Sequence, residues 1–235
     1  MNISSIQFVI SAGNYLRYKQ MKIIIIGGVA GGATTAARIR RVDETAEIVL
    51  LEKGKYISYA NCGLPYYIGG VIEERDKLFV QTPEAFSTRF RVDVRTENEV
   101  IFIDRKRKTV TVRQSSEDTY EESYDKLVIS TGASPVRPPL PGIDLSGIFT
   151  LRNVTDTDRI KEYIKNHAPR KAVVVGAGFI GLEMAENLQA QGAKVSIVEM
   201  GNQVMAPIDF SMASLVHQHL SLIHISEPTR RTPIS

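Results

Sequence analysis

Residues 22–52 read KIIIIGGVAGGATTAARIRRVDETAEIVLLE, and this stretch decides the fold of the first half of the chain. Lys22–Gly27 is a continuous apolar run that ends in glycine, which predicts a buried strand. Gly31–Val42 carries helix formers and Glu47–Glu52 is a second apolar run, so the pattern predicts a β-α-β unit. The glycines between the first strand and the helix stand where such a turn can approach a pyrophosphate.

The same pattern returns later in the chain. Lys171–Val175 predicts a strand, residues 179–191 predict a helix, and Lys194–Glu199 predicts another strand. The turn between them has the spacing Gly-x-Gly-x-x-Gly, which gives a tight turn, room for a pyrophosphate and close helix–strand packing, although a plain packing turn is the alternative. Glu199, eighteen residues after Gly181, suits ribose hydroxyls and would repel a 2′-phosphate, which favours NADH over NADPH. The predicted contacts are Gly176, Gly178, Ile180, Gly181 and Glu199.

The first glycine-rich turn departs from that spacing. Val29 occupies the place of the middle glycine, where its side chain would crowd an approaching pyrophosphate. Glu52, twenty residues after Gly32, still supplies an acid for a ribose. The first turn is therefore a less complete dinucleotide motif than the second.

Short elements are predicted between the two units. Thr82 and Pro83 suit the cap and first position of a helix that runs to Phe90. The predicted strands that follow are Val92–Arg95, Val100–Asp104, Thr109–Arg113, Thr119–Tyr124 and Leu127–Ser130. Four prolines between residues 135 and 141 exclude regular structure and mark a linker, after which Thr155–Asn166 predicts a helix.

These elements predict an α/β fold with two Rossmann-like dinucleotide-binding domains. The first unit is unfinished when the second begins, so we expect the second to be inserted into the first. The predicted domains are residues 21–150 and 151–219, both incomplete in this chain.

Composition bounds the function. A net charge of +3 over 235 residues is too small and too scattered to indicate a nucleic-acid partner, and Arg105–Lys108 is expected to be a solvated hairpin turn. No apolar stretch approaches the length that spans a bilayer, so no membrane association is expected. The single cysteine excludes a disulfide scaffold and suits a reducing compartment, which makes the cytoplasm the expected location. No metal site is predicted.

Both ends of the sequence are expected to be non-native. Ile6–Ile10 has no basic segment before it and makes a poor secretory signal, whereas Met21 directly precedes the first strand. Residues 1–20 are therefore predicted to be a leader that arose from an upstream start. From Leu220 the sequence LSLIHISEPTR resembles the translation of a sequencing adapter. Residues 220–235 are accordingly predicted to be a tail that replaces the natural chain after His219.

Cys62 lies in the run SYANCGLPYYIGG, which begins at Ser58 and falls between the two glycine-rich turns. As the only cysteine, it cannot close an internal disulfide, so a redox cycle would need a second sulfur or an oxygen from outside the chain. Gly63–Ile68 predicts the first turn of a helix, whose positive end would favour the thiolate. The alternative is an inert buried cysteine.

The spacing Ser58-x-x-Asn61-Cys62-x-Leu64-Pro65-Tyr66 resembles the single-cysteine branch of the flavin-dependent pyridine nucleotide-disulfide oxidoreductases, and within it the coenzyme A-disulfide reductases. With the two glycine-rich turns, the resemblance covers about residues 21–219. It implies FAD in the first fold, NADH or NADPH in the second, and a homodimer whose active site borrows residues from the partner subunit.

The resemblance also implies site residues. Cys62 would be the redox nucleophile, and the FAD contacts would be Gly27, Gly28, Ala30, Gly31, Gly32, Glu52, Lys53, Val100, Ser130, Thr131, Gly132, Ala133 and Arg152. In the implied cycle NADH reduces the flavin, which passes electrons to a mixed disulfide between Cys62 and coenzyme A. The coenzyme A thiol leaves, and the Cys62 thiolate attacks the next disulfide.

The implied substrate contacts are Thr34, Arg38, Arg41, Ser58 and Asn61. The first three fall at i, i+4 and i+7 on one helix face, where they could meet the phosphates of coenzyme A. Arg38 replaces the glutamine expected from the family, and a solvated surface arginine is the alternative there.

Other readings stay open. In an NADH oxidase or peroxidase the cysteine would cycle through sulfenic acid, but such relatives usually carry a histidine where this chain has Ala30, which favours a disulfide or persulfide substrate. A C-terminal rhodanese domain is a further possibility. From another class of function, the chain is an inactive, truncated nucleotide-binding fragment.

Overall fold

The computed structural model describes residues 20–223 and 225. Its first unit is built on a four-stranded parallel sheet in the order β3-β2-β1-β7. These strands are β1 Lys22–Ile26, β2 Glu47–Glu52, β3 Asp93–Thr96 and β7 Lys126–Ile129. Ile24, Ile25 and Leu50 are 0% exposed, because both faces of the two central strands are covered. A sheet buried on both faces explains why these strands are continuous apolar runs.

Each face of this sheet has its own layer. On one face lie the helices α1 (Ala30–Val42) and α3 (Pro83–Phe90), whose Ala36 and Phe86 pack against Ile25. On the other face lies an antiparallel three-stranded sheet, which packs Val110 and Val112 against Ile24. Its strands are β4 Asn98–Asp104, β5 Thr109–Gln114 and β6 Thr119–Ser123.

Arg40 is a charged residue buried in α1. It is 9% exposed, and its guanidinium donates to the carbonyl oxygens of Phe90 (2.8 Å), Arg91 (2.7 Å) and Glu44 (2.8 Å). It thereby satisfies acceptors at the end of α3 that would otherwise lack a donor.

We expect Arg40→Met to lower the free energy of unfolding by about 2–3 kcal/mol, because three backbone carbonyls would lose the guanidinium that joins them. Arg38→Met, at an exposed position of the same helix, should change it by less than about 0.5 kcal/mol. Urea unfolding followed by circular dichroism measures both variants. Equal losses would contradict this role of Arg40.

The second unit contains α4 (Val154–His167), β8 (Lys171–Val175), α5 (Phe179–Ala190), β9 (Lys194–Val198) and α6 (Phe210–Leu222). The two strands pair in parallel, and one face of the pair packs on α5 and α6 through Ala185, Val195 and Ile197. The other face carries Val173 and Val175, which are 65% and 83% exposed.

The predicted elements agree with these, apart from residues at their ends. Arg105–Lys108 forms the hairpin turn, and the hydroxyl of Thr82 accepts a hydrogen bond from the Ala85 amide at 3.2 Å, as a cap should. Residues 131–150 contain no helix or strand, in line with their prolines. The helix predicted from Gly63 begins one residue later, at Leu64, and a 3-10 turn over Asn61–Gly63 precedes it, because Pro65 suits the first turn of a helix.

The predicted leader, apart from Gln20, lies outside the described residues, as do residue 224 and residues 226–235 of the predicted tail. α6 continues through Leu222, and Ile225 is 3% exposed against the core of the second unit. The boundary placed at residue 220 stays a prediction. Within the described ranges, no helix combines the length and apolar character needed to cross a membrane.

Candidate functional site

The first glycine-rich turn connects β1 to α1 and depends on its glycines. Gly27 has φ +98°, and a Cβ there would lie 2.2 Å from the Ser130 carbonyl oxygen. A Cβ at Gly32 would lie 1.7 Å from the Gly27 carbonyl oxygen. These contacts bring the turn against the end of β7 and bring α1 against β1, so both positions require glycine for packing.

The second turn has a similar construction, although a Cβ at Gly176, unlike one at Gly27, would meet nothing within 4 Å. Gly176 has φ +102°, and a Cβ at Gly181 would lie 2.0 Å from the Gly176 carbonyl oxygen, as in the first turn. A Cβ at Gly178, however, would meet nothing within 4 Å. A packing turn therefore explains Gly181 but not Gly178, and the open space there fits a pyrophosphate approaching the start of α5.

In each unit, a glutamate accepts hydrogen bonds from backbone amides, one of them in the glycine-rich turn. Glu52 accepts hydrogen bonds from the amides of Gly28 (2.7 Å) and Gly54 (2.8 Å). Glu199 accepts from Ala177 (2.7 Å) and Gly201 (2.8 Å). These backbone donors lower the pKa of Glu199, so it is a carboxylate at neutral pH. Each carboxylate oxygen keeps acceptor capacity for a ribose hydroxyl.

The crowding of a pyrophosphate expected from the Val29 side chain stays a prediction. Val29 packs against a buried cluster that includes Tyr59, Leu64 and Val154, while also lining the cavity described next. No acidic residue lies in the first turn of α1 or of α5, so both helix starts suit an anionic ligand.

A cavity of about 390 Å³ lies beside the first turn, bounded by the starts of α1 and α4. Of the predicted site residues, it is lined by Ala30, Gly31, Glu52, Lys53, Asn61, Ser130, Thr131, Gly132, Ala133 and Arg152. Sequence reasoning missed other lining residues, namely Gly54, Lys55, Tyr56, Tyr59, Ser134, Pro135, Thr150, Asn153, Val154, Thr155 and Asp156. Only Asn153 had a local signal, because its side chain caps α4 by accepting from the Asp156 amide at 2.9 Å.

Arg152 crosses from one wall of this cavity to the other. Its Nε donates to the Ala133 carbonyl at 2.6 Å, and its backbone amide donates to Asp156 at 3.0 Å. One terminal guanidinium nitrogen lies 3.5 Å from Asn61 Oδ1. The arginine thus links the turn after β7 to the residue next to Cys62.

Cys62 is exposed, which excludes the inert buried alternative. It lies in the 3-10 turn Asn61–Gly63, and the preceding residue reaches the cavity. The short helix α2 (Leu64–Ile68) follows, and α4 and α5 hold its far end. Lys161 donates to the Tyr67 carbonyl at 2.6 Å, and Gln191 donates to the Gly69 carbonyl at 2.6 Å. The second unit therefore fixes the segment that carries the thiol.

The remaining predicted residues lie outside the cavity lining. Thr34, Arg38 and Arg41 are exposed and share one face of α1. Ser58 has φ +47°, and its amide donates to the Gly28 carbonyl at 3.1 Å. Val100 packs beneath the first sheet, among residues of the antiparallel sheet. Their contacts with substrate or cofactor stay predictions.

The open volume, the two carboxylates and the helix starts fit a dinucleotide at each turn. In the first unit the cavity extends from Glu52, the acid expected to bind a ribose, to Asn61, the residue that precedes Cys62. That continuity gives these residues room to hold an extended dinucleotide such as FAD.

Comparison with known proteins supplies family context. Residues 21–225 match the profile of the family described as pyridine nucleotide-disulphide oxidoreductase. A coenzyme A disulfide reductase of Staphylococcus haemolyticus is 45% identical over 206 residues, covering 87% of this chain and 46% of that protein. The chain therefore spans less than half the length of this curated relative.

Two solved structures agree. Reduced Bacillus anthracis CoADR-RHD superposes with a TM-score of 0.87 at 54% identity, covering 89% of this chain and 38% of that one. An NAD-dependent persulfide reductase from A. fulgidus superposes with a TM-score of 0.83 at 41% identity, covering 88% of this chain and 39% of the other.

Proposed function

The chain belongs to the pyridine nucleotide-disulphide oxidoreductase family, and from this premise we propose that it is part of an FAD-dependent enzyme that uses NADH to reduce coenzyme A disulfide or a related disulfide or persulfide. The observation that carries the proposal is the position of Cys62. The thiol is exposed in a turn whose first residue, Asn61, lines the cavity beside the first glycine-rich turn. The names of the relatives, a coenzyme A disulfide reductase and a persulfide reductase, support the same substrate class.

The residues divide into three tasks. Glu52, Lys53, Arg152 and the turns that contain Gly31 and Gly132 would hold FAD, which when bound would relay two electrons between NADH and the sulfur chemistry. Gly176, Gly178, Ile180, Gly181 and Glu199 would hold NADH. Thr34, Arg38 and Arg41, with Ser58 and Asn61, would bind coenzyme A, since two guanidinium groups on one exposed helix face suit its phosphates.

The chemistry at Cys62 is a thiol–disulfide exchange. Its thiolate attacks one sulfur of the substrate, so that the substrate S–S bond breaks, a mixed disulfide forms, and one thiolate leaves. Two electrons from NADH then cleave the mixed disulfide. With protons from NADH and solvent, the second thiol is released and the Cys62 thiolate is restored.

The activity should be tested on a longer protein that matches the full length of the relatives. NADH oxidation should be measured in parallel with coenzyme A disulfide, polysulfide, hydrogen peroxide and oxygen as oxidants. The proposal expects the highest kcat/KM with the disulfide or the polysulfide. A preference for peroxide or oxygen would instead assign the oxidase or peroxidase chemistry, in which Cys62 cycles through sulfenic acid.

Glu199 is expected to select NADH. We expect Glu199→Gln to weaken NADH binding about three- to tenfold, because a neutral amide replaces a charged acceptor for the ribose hydroxyls. NADPH binding should not weaken in the same way, because the amide no longer repels the 2′-phosphate. The ratio of NADH to NADPH affinity should fall accordingly. Fluorescence titration with both nucleotides measures this, and Glu186→Gln on the exposed side of α5 serves as a control. An unchanged ratio in Glu199→Gln would contradict the assignment.

A homodimer and a cytoplasmic location belong to the same proposal. The reducing environment keeps a lone exposed thiol available. Light scattering on the protein of the relatives' length should give twice the mass of one chain.

A second candidate is that the 235-residue chain alone does not turn over. It is supported by the exposed Val173 and Val175 on the open face of β8, and by the 46% of the Staphylococcus haemolyticus relative that the chain covers. A colourless, aggregating product after purification would support it, whereas a yellow, monodisperse protein would oppose it.

A further inference from the structure

Tyr59 combines burial with an unused polar group. It is 8% exposed and packs in a cluster with Leu64, Leu78 and Val154. Within the part of the chain that the structure describes, its hydroxyl forms no hydrogen bond. A phenylalanine would fill the same apolar cluster, so the packing does not account for the hydroxyl.

Two other tyrosine hydroxyls of the described residues have protein partners. The Tyr56 hydroxyl accepts from Arg75 at 2.8 Å, and the Tyr120 hydroxyl donates to Asn98 at 2.8 Å. Within the described ranges, the Tyr59 hydroxyl is not one of the atoms that are both completely buried and without a partner. It therefore keeps some exposure, and the side chain forms part of the cavity wall.

The surroundings define which ligand chemistry the hydroxyl would meet. Glu52, Arg152 and Asp156, which also line the cavity, are the charged groups that act on the phenol. Burial raises the pKa of Tyr59, so its hydroxyl stays protonated and able to donate at neutral pH. Phosphate oxygens and ribityl hydroxyls, which a flavin dinucleotide presents along its length, are suitable acceptors.

We propose that Tyr59 is a cofactor-positioning residue whose hydroxyl donates a hydrogen bond to the flavin dinucleotide held in this cavity. The inference rests on the proposed function, because it requires FAD to occupy the first unit. It also accounts for a polar group that the apoprotein leaves unpaired, since binding sites hold such groups ready for their ligands.

The test compares the wild-type chain with Tyr59→Phe in two measurements. Flavin fluorescence titration should show FAD binding weakened about five- to thirtyfold, which corresponds to the loss of one hydrogen bond. The thermal midpoint of the FAD-free protein should not fall, because the variant keeps the packing of the ring and removes a hydroxyl that has no hydrogen-bond partner among the described residues. Tyr163→Phe serves as the control, since this tyrosine lies on α4 outside the cavity wall and should change neither quantity.

The outcomes separate the two proposals. Equal FAD affinity in wild type and Tyr59→Phe overturns the role of the hydroxyl while leaving the proposed function in place. A lower thermal midpoint of the FAD-free variant also overturns it, because the hydroxyl would then have a structural role. Absence of FAD binding in the wild-type chain overturns this inference and counts against FAD in the first unit.

Discussion

Cys62→Ser is expected to abolish disulfide-dependent NADH oxidation, with kcat/KM reduced by about 10⁴-fold or more. A serine hydroxyl is almost never ionised at neutral pH and cannot form the mixed disulfide that the cycle requires. The measurement is steady-state oxidation of NADH with coenzyme A disulfide, on a protein of the length of the relatives.

The same preparation supplies its own control. Since Cys62 is exposed, the replacement should leave the folded structure and FAD binding unchanged. Electron transfer from NADH to a one-electron dye such as ferricyanide does not need the thiol and should persist. Disulfide turnover within tenfold of wild type would remove Cys62 from the mechanism.

The second large effect is expected from Gly181→Ala. Its new Cβ would lie 2.0 Å from the Gly176 carbonyl oxygen, so α5 would have to move away from β8. We expect the unfolding free energy to fall by at least about 3 kcal/mol, more than the roughly 1 kcal/mol that alanine gains over glycine in a helix. Urea unfolding measures the loss.

Gly178→Ala is the matched comparison in the same turn. A Cβ there meets nothing within 4 Å, so stability should change by less than about 0.5 kcal/mol. NADH affinity should nevertheless fall about tenfold or more, because the methyl group would occupy space needed by the pyrophosphate. Equal destabilisation by both variants would contradict the distinction between a packing glycine and a ligand glycine.

Local sequence patterns were sufficient to predict both nucleotide units. A buried parallel strand has a continuous apolar run, and the turn after it needs glycine where φ is positive, as at Gly27 and Gly176. The acids at Glu52 and Glu199 could also be placed, because each directly ends or follows the second strand of its unit. Such features depend on neighbours close in sequence.

The cavity wall could not be predicted in the same way. Tyr59 and Asp156 both line the cavity because α4 packs against the segment around Cys62. No spacing rule relates positions so far apart in sequence. α6 was missed for another reason: Phe210, Met212 and Leu215 are exposed, so the helix lacks the one-sided apolar pattern that predicts an amphipathic helix.

The most direct test of the central claim is the reaction of this chain with coenzyme A disulfide in the presence of FAD, followed by intact mass spectrometry. We expect one coenzyme A per chain, joined to Cys62 and released by dithiothreitol, with none on Cys62→Ser. The rate should exceed that with pantethine, which lacks the phosphates, by about tenfold or more, because Arg38 and Arg41 would attract them. Equal rates with the two disulfides, or no adduct, would contradict the account.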